Sequence, residues 1–373
     1  MFGYKHLISL LPLLATSSAF VIPSNSGLSR RCVSAISSYD EVDSAVSSGC
    51  DIELGAITVP SGKALDLSGL GDGATVTVTG DVTFEGGVEW EGPMFIIDGS
   101  DITFNGGGHT FDGQGATYWD GQGSNGGKTK PKMMKLKMGG SFSDLTVLNA
   151  PVHVFSVGNK APLLITGVTI DNKAGFELNE DGDELSHNSD CFDVSATDTT
   201  IDGNTCWSTD DCLALNKGQG IVFSNNICQG THGISIGSIK SDAVVSNVKI
   251  TGNTVDGADN GLRIKTIAGA TRGSVSDVTY SNNKITNALK YGVVIQQDYE
   301  NGSSTGEPTN GIEISNIVFD TGNTVETASD AKFGVYVLCG DGSCTGNWDW
   351  SGLTVSGAEN SISGDPPITG FTA

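Results

Sequence analysis

Basic charge is scarce in this sequence. Across 373 residues, 20 Lys and Arg face 43 Asp and Glu, a formal net charge of −23 at pH 7. Such an excess of acid argues against nucleic acid as a partner. It also repels polyanions at long range, so any anionic ligand must be held by locally placed cations. Long apolar runs are scarce too. The first runs only from Leu7 to Ala15, and no other stretch nears the roughly 18 residues of a membrane helix, which argues against a membrane-bound protein. No long amphipathic helical pattern follows the first fifty positions, and only 17% of residues are charged.

What is abundant is glycine, with 52 residues, together with Thr, Ser, Asn and Val. This composition fits one elongated all-β domain, and single β domains often exceed the usual domain length. The N-terminus has its own pattern. Lys5 and His6 precede the Leu7–Ala15 run, and the small residues Ser17, Ser18 and Ala19 follow it. Residues 1–19 are expected to be a secretory signal peptide. Residues 20–31 are read as a pro-segment ending at the dibasic pair Arg30–Arg31, with a single domain over 32–373. That domain has 17 basic and 43 acidic residues, a net charge of −26.

Eight cysteines suit a secreted chain able to form disulfides: Cys32, Cys50, Cys191, Cys206, Cys212, Cys228, Cys339 and Cys344. Cys339 and Cys344 are close enough in sequence to close a small loop. Spacing alone leaves the other pairings open.

Residues Ser38 to Ser47 read as a short helix, with Ser38 and Glu41 fitting a capping box. Beyond it a repeat appears: apolar, any, apolar, any, any, Asn, any, apolar. It occupies Thr199 to Cys206, with Thr in the first slot. It recurs at Ile221 to Cys228, Val248 to Val255 and Val278 to Ile285. With one insertion it recurs again at Ile317 to Val325. The asparagines Asn204, Asn226, Asn253, Asn283 and Asn323 are 22, 27, 30 and 40 residues apart. Repeats of this length signal a solenoid. Short alternating strands separated by Gly and Asn corners describe the coils of a parallel β-helix. Ile201, Phe223, Ile250, Tyr280 and Phe319 are expected to stack inside it. The asparagines are expected to be structural corners, and the Ser38–Ser47 helix to cover the open N-terminal end. The variable repeat length argues against a β-propeller.

The chemistry-bearing residues follow the same rhythm. Asp190 lies 20–21 residues before the pair Asp210–Asp211, and His232 lies 21 residues after Asp211. Arg263, Lys265 and Tyr291 come at further steps of about one coil. In a β-helix such residues stack roughly 4.8 Å apart and line one groove. Three carboxylates so close cannot all ionise freely, which keeps a proton available for donation. Glycoside hydrolysis needs that proton for the leaving oxygen and a base for water. Arg263 and Lys265 alternate about Ile264, so both face outward and are able to bind sugar carboxylates. Adjacent Asp210 and Asp211 can share the groove only at a strand end or bulge.

At these residues the chain resembles the polygalacturonases of glycoside hydrolase family 28, of the fungal endo-acting type. The family pattern Asn-Thr-Asp, Gln-Asp-Asp, Gly-His-Gly, Arg-Ile-Lys and a later Tyr stands here as Asn188-Ser189-Asp190, Thr209-Asp210-Asp211, His232-Gly233, Arg263-Ile264-Lys265 and Tyr291. The resemblance spans nearly all of 32–373. It implies a right-handed, single-stranded parallel β-helix of the pectin lyase-like kind. It implies a secreted hydrolase that cleaves α-1,4-galacturonosyl bonds of polygalacturonate (pectin) with inversion, as a monomer without metal or cofactor. Asp210 would be the general acid. Asp190 and Asp211 would activate water, and His232 would tune the acid. Arg263, Lys265, Tyr291 and Asn188 would bind substrate. Disulfides Cys32–Cys50, Cys212–Cys228 and Cys339–Cys344 are implied as well.

Ser208-Thr209 departs from the family's Asn-Gln, and Thr231 from its Gly, which bears on rate and subsite preference. Cys191 and Cys206 are extra to the pattern and are read as buried thiols. Asn301-Gly302-Ser303 is an N-glycosylation sequon. Competing readings are a non-hydrolytic pectin-binding protein on the same scaffold, a calcium-dependent pectate lyase, and an exo-acting or xylogalacturonan-specific hydrolase.

Overall fold

A computed structural model describes residues 31–372. The expected signal peptide and pro-segment therefore lie outside the described residues, apart from Arg31. Residues from Cys32 onward form one compact unit.

The expected β-helix is present. Among the described residues, strands add in parallel, coil upon coil, with one antiparallel strand pairing, where Tyr299–Glu300 pairs with Ser303–Ser304. Three ladders wrap the core. One runs from Leu65–Leu67 through Phe95–Ile97, Met134–Leu136 and Phe155–Val157, then through successive coils to Phe333–Leu338. A second joins the first where Phe192–Asp202 and Leu213–Ser224 turn a corner as long strands. The third is an eleven-stranded sheet from Ile57–Val59 to Leu353–Ser356.

Side-chain alternation drives this arrangement. Ile201 pairs in register with Phe223, then Ile250, Tyr280 and Phe319, and all five are at most 1% exposed. The same line continues back through Ile165, Phe142 and Phe104. Phe104 stacks on Phe142 at 4.2 Å, and Tyr280 on Phe319 at 4.6 Å. Each inward residue thus buries its full surface against its copies above and below.

The asparagines build a buried ladder at the corner. The Nδ2 of Asn253 donates to the Phe223 carbonyl at 3.0 Å and to Asn283 Oδ1 at 2.9 Å. Its Oδ1 accepts from the backbone N of Asn226 at 2.9 Å and from Asn226 Nδ2 at 3.1 Å. Asn204, Asn226, Asn283 and Asn323 repeat the pattern. Backbone groups that a tight corner would orphan are satisfied this way.

The N-terminal element is a 3-10 turn, Tyr39–Glu41, running into the α-helix Val42–Ser47. Glu41 Oε2 accepts from the amides of Ser37 and Ser38 at 2.7 and 3.2 Å. Val42 and Ala45 are buried in the first coils.

The three disulfides implied by the resemblance are formed. The reading of Cys191 and Cys206 as thiols is overturned, because they form a fourth disulfide. Both point into the same coil, at 0% and 1% exposure, with their Cα atoms 6.5 Å apart. Two inward cysteines facing each other across a narrow core are within bonding reach.

Candidate active site

Asp190, Asp210 and Asp211 stand at the entries of successive coils, just before the regular strands starting at Phe192 and Leu213. The backbone sets their register. The amide of Val154 donates to the Asp190 carbonyl, that of Cys191 to Asp211 O, and that of His232 to Asp210 O, all at 2.8–2.9 Å. Strand alternation has not begun at 210–211, so both side chains turn to the same recess. The amide of Asp211 donates to Asp210 Oδ1 at 2.7 Å. Gly233 keeps the next coil close, since a Cβ there would meet the Asn260 carbonyl at 2.1 Å.

One oxygen from each carboxylate lies within 4.8 Å of the others. The recess around them holds about 160 Å³ and is also lined by His153, Asp193, Asn216, Lys265 and Tyr299. Each aspartate has its own partners. Asp190 Oδ2 lies 3.2 Å from His153 Nε2. Asp210 Oδ1 lies 3.1 Å from His232 Nδ1, and its Oδ2 accepts from Asn188 Nδ2 at 3.2 Å. Asp211 receives Arg263 Nη2 at 2.6 Å and Ser235 Oγ at 2.7 Å on one oxygen, and Lys265 Nζ at 2.9 Å on the other.

Proton affinities diverge accordingly. Burial pushes Asp190 well above the usual carboxylate range, and the charges of Asp210 and Asp211 add to that. Burial also pushes Asp210 up, but His232 and Lys265 outweigh it and hold the group low. Asp211 is likewise held low, with burial overcome by Arg263 and Lys265. Burial pulls His232 down, but the charge and hydrogen bond of Asp210, with the charges of Asp211 and Asp259, together raise it. His153 is lowered, chiefly by burial. In the free site Asp190 therefore holds a proton most strongly of the three, whereas the resemblance puts the acid at Asp210.

Hydroxyls replace the amides of the family pattern. Ser208 Oγ donates to the Ser189 carbonyl and lies 2.7 Å from Ser189 Oγ. Thr209 Oγ1 lies 2.8 Å from Ser189 Oγ and donates to the Ser186 carbonyl at 2.9 Å. Ser189, Ser208 and Thr209 are at most 1% exposed, so this closed hydroxyl cluster ties the Asp190 loop to the Asp210 loop. Thr231 is equally buried, and its Oγ1 accepts from the Gly233 amide at 3.2 Å.

The structure brings Asp190, Asp210, Asp211, His232, Asn188, Arg263 and Lys265 together. Tyr291 does not itself line the recess. It pairs in register with Asn260 and joins Phe333 and Tyr336 in an aromatic patch, with ring centroids 6.3 and 5.5 Å away. The aromatic in the recess is Tyr299, whose ring lies 5.0 Å from Lys265 Nζ. Asn301 of the sequon lines the same recess from an exposed loop. Sequence reading missed His153, Asp193, Asn216, Ser235 and Tyr299. A long excursion between Asp171 and Asp190 hides the coil register that aligns His153 with the trio. The trio is an oxygen-rich cluster of the kind that binds divalent metals, but both Asp211 oxygens are already taken by Arg263 and Lys265.

Comparison with known proteins places the chain among relatives. The model of glycosyl hydrolases family 28 matches residues 50–366. An endo-polygalacturonase of Sclerotinia sclerotiorum is 48% identical over 317 residues, 83% of this chain and 80% of that protein. A polygalacturonase of Cochliobolus carbonum is 42% identical over 95% of this chain and 96% of its own. Among solved structures, endopolygalacturonase I from Stereum purpureum, complexed with two galacturonate, superposes with a TM-score of 0.83 at 42% identity. The match covers 90% of this chain and 98% of that one.

Proposed function

The chain belongs to glycosyl hydrolase family 28, and on that footing we propose that it is an endo-acting hydrolase of polygalacturonate, exported from the cell. The observation that carries the chemistry is the clustering of three buried carboxylates beside Arg263 and Lys265, with proton affinity raised at Asp190 and lowered at Asp210 and Asp211. The two cations outnumber Asp211 by one charge. A galacturonate carboxylate entering there can share the Arg263 and Lys265 donors that Asp211 does not use. The Tyr291–Phe333–Tyr336 patch offers a wall for sugar rings beyond His232.

The reaction needs an acid for the leaving oxygen and a base for water. Moving one proton from Asp190 to Asp210 arms both. Asp210 becomes the donor, and its conjugate base is stabilised by His232. Asp190 becomes ionised and, with Asp211, activates water. His153, held neutral, accepts or donates a hydrogen bond at Asp190 without adding charge. Ser208 and Thr209 hold the two loops in place of the amides, which supports a working enzyme over a binding protein on the same scaffold. Export is supported by the four disulfides.

Reducing ends released from polygalacturonate, with no rise in ultraviolet absorbance from unsaturated sugar, are the expected outcome. Absorbing product lost on chelation would replace hydrolysis with elimination. The family resemblance supports inversion, in which one carboxyl protonates the leaving oxygen and another activates water on the opposite face of the sugar. Proton NMR of the first-formed anomer decides: a β-anomer from α-linked substrate means inversion.

A further inference from the structure

A second basic cluster lies on the other side of the trio from Arg263 and Lys265. The ladder bearing Asp193 runs back through Ser156 to Lys135. Lys135 therefore stands two coils from Asp193, roughly 10 Å. In the opposite direction the same ladder reaches Arg263 in three coils, through Ala214 and Ser235. Lys135 lies between buried Met134 and Leu136, so alternation turns it outward. Lys132 and Lys137 are exposed beside it. The three lysines and Glu91 line a groove of about 390 Å³ that shares Asp193 with the carboxylate recess.

Three lysines in six positions are unusual in a chain with only 20 basic residues. Among the described residues, Lys132 and Lys135 form no ion pair, and Lys137 has only a 3.9 Å contact with Asp98. The groove's own carboxylates are Glu91 and Asp193, and Asp193 already accepts from Asn216 Nδ2 at 2.7 Å. Three cations against two carboxylates leave the groove positive. The charge of Lys132 also disfavours protonation of His153.

We propose that Lys135 and Lys137, with Lys132 at their inner edge, form a distal subsite for consecutive carboxylates of a polyuronate chain. The inference rests on the hydrolase reading above and extends it. A chain laid along the axis is gripped by lysines on one side of the trio and by Arg263 and Lys265 on the other. An interior bond is thereby presented to the carboxylates.

The test compares Lys135→Gln/Lys137→Gln with Lys135→Arg/Lys137→Arg and wild type. Kinetics are measured on long polygalacturonate and on the shortest oligomer the enzyme cleaves. The Gln variant should raise KM on the polymer roughly fivefold with kcat unchanged. Its kcat/KM on the short oligomer should match wild type, and the Arg variant should behave as wild type on both. Added salt should raise the polymer KM of wild type more steeply than that of the Gln variant. An unchanged polymer KM, or an equal loss on both substrates, overturns the subsite while leaving hydrolysis intact. Absence of reducing ends from wild type itself would overturn the hydrolase reading beneath it.

Discussion

His153 is biased toward its neutral form beside Asp190, whereas His232 is biased toward its charged form beside Asp210, and Arg263 with Lys265 pair with Asp211. The three carboxylates therefore differ in role though not in chemistry. Asp190→Asn, Asp210→Asn and Asp211→Asn should each lower kcat by about 10²–10⁴-fold while circular dichroism stays unchanged. Only the acid variant should recover on a galacturonide with an activated leaving group; recovery by Asp190→Asn instead would move the acid there. His232→Asn removes the charge that holds Asp210 low. Its acid limb in a kcat/KM–pH profile should shift to higher pH, and an unmoved limb would detach His232 from the acid. Stability follows the same signs. The contribution of Asp210 and Asp211 is present above about 3.9 and lost as pH falls through their lowered folded values. That of His232 is present below about 6.5 and lost as pH rises through its raised value. The trio, His232 and the two cations were legible in sequence because each falls on a regular coil step. His153 and Tyr299 were not, since an excursion and a hairpin shift them off that step.

Strand-scale features were the most legible part of the chain. Ile201 and its four partners announced their stack because an inward position repeats on every coil. The asparagines announced a corner, but not its hydrogen bonds, which need the pitch between coils to be known. Asn253→Ala should cost roughly 2–4 kcal/mol, because it orphans buried groups on both neighbouring coils. Thermal unfolding monitored by circular dichroism checks this; a change within error would make the ladder decorative. The Cys191–Cys206 bond was misread because the repeat shows that both residues face inward, yet says nothing about which inward residues meet across a coil. Thiol titration of the denatured, unreduced protein should find no free cysteine, whereas two would restore the earlier reading.

At the scale of the molecule, the fold sets a groove along its axis, with the carboxylates between two basic stretches. The sequence showed the residues of one stretch as a motif. It did not mark the other, because only the coil register carries the Lys132–Lys137 segment into line with Asp193 and the trio. Asn301 stands at the mouth of the recess, so a glycan there would crowd the substrate. A glycoform modified at Asn301 should show several-fold lower kcat/KM on polymer than the enzymatically deglycosylated form. Equal values would place the sugar away from the path. The groove also bears most directly on what the enzyme makes. Chromatography of products during the first few per cent of polygalacturonate cleavage is the decisive measurement. Cleavage of interior bonds by the trio predicts a spread of oligogalacturonates and a rapid fall in polymer length. Monogalacturonate alone from the outset, or intact polymer across the acidic pH range, would contradict it.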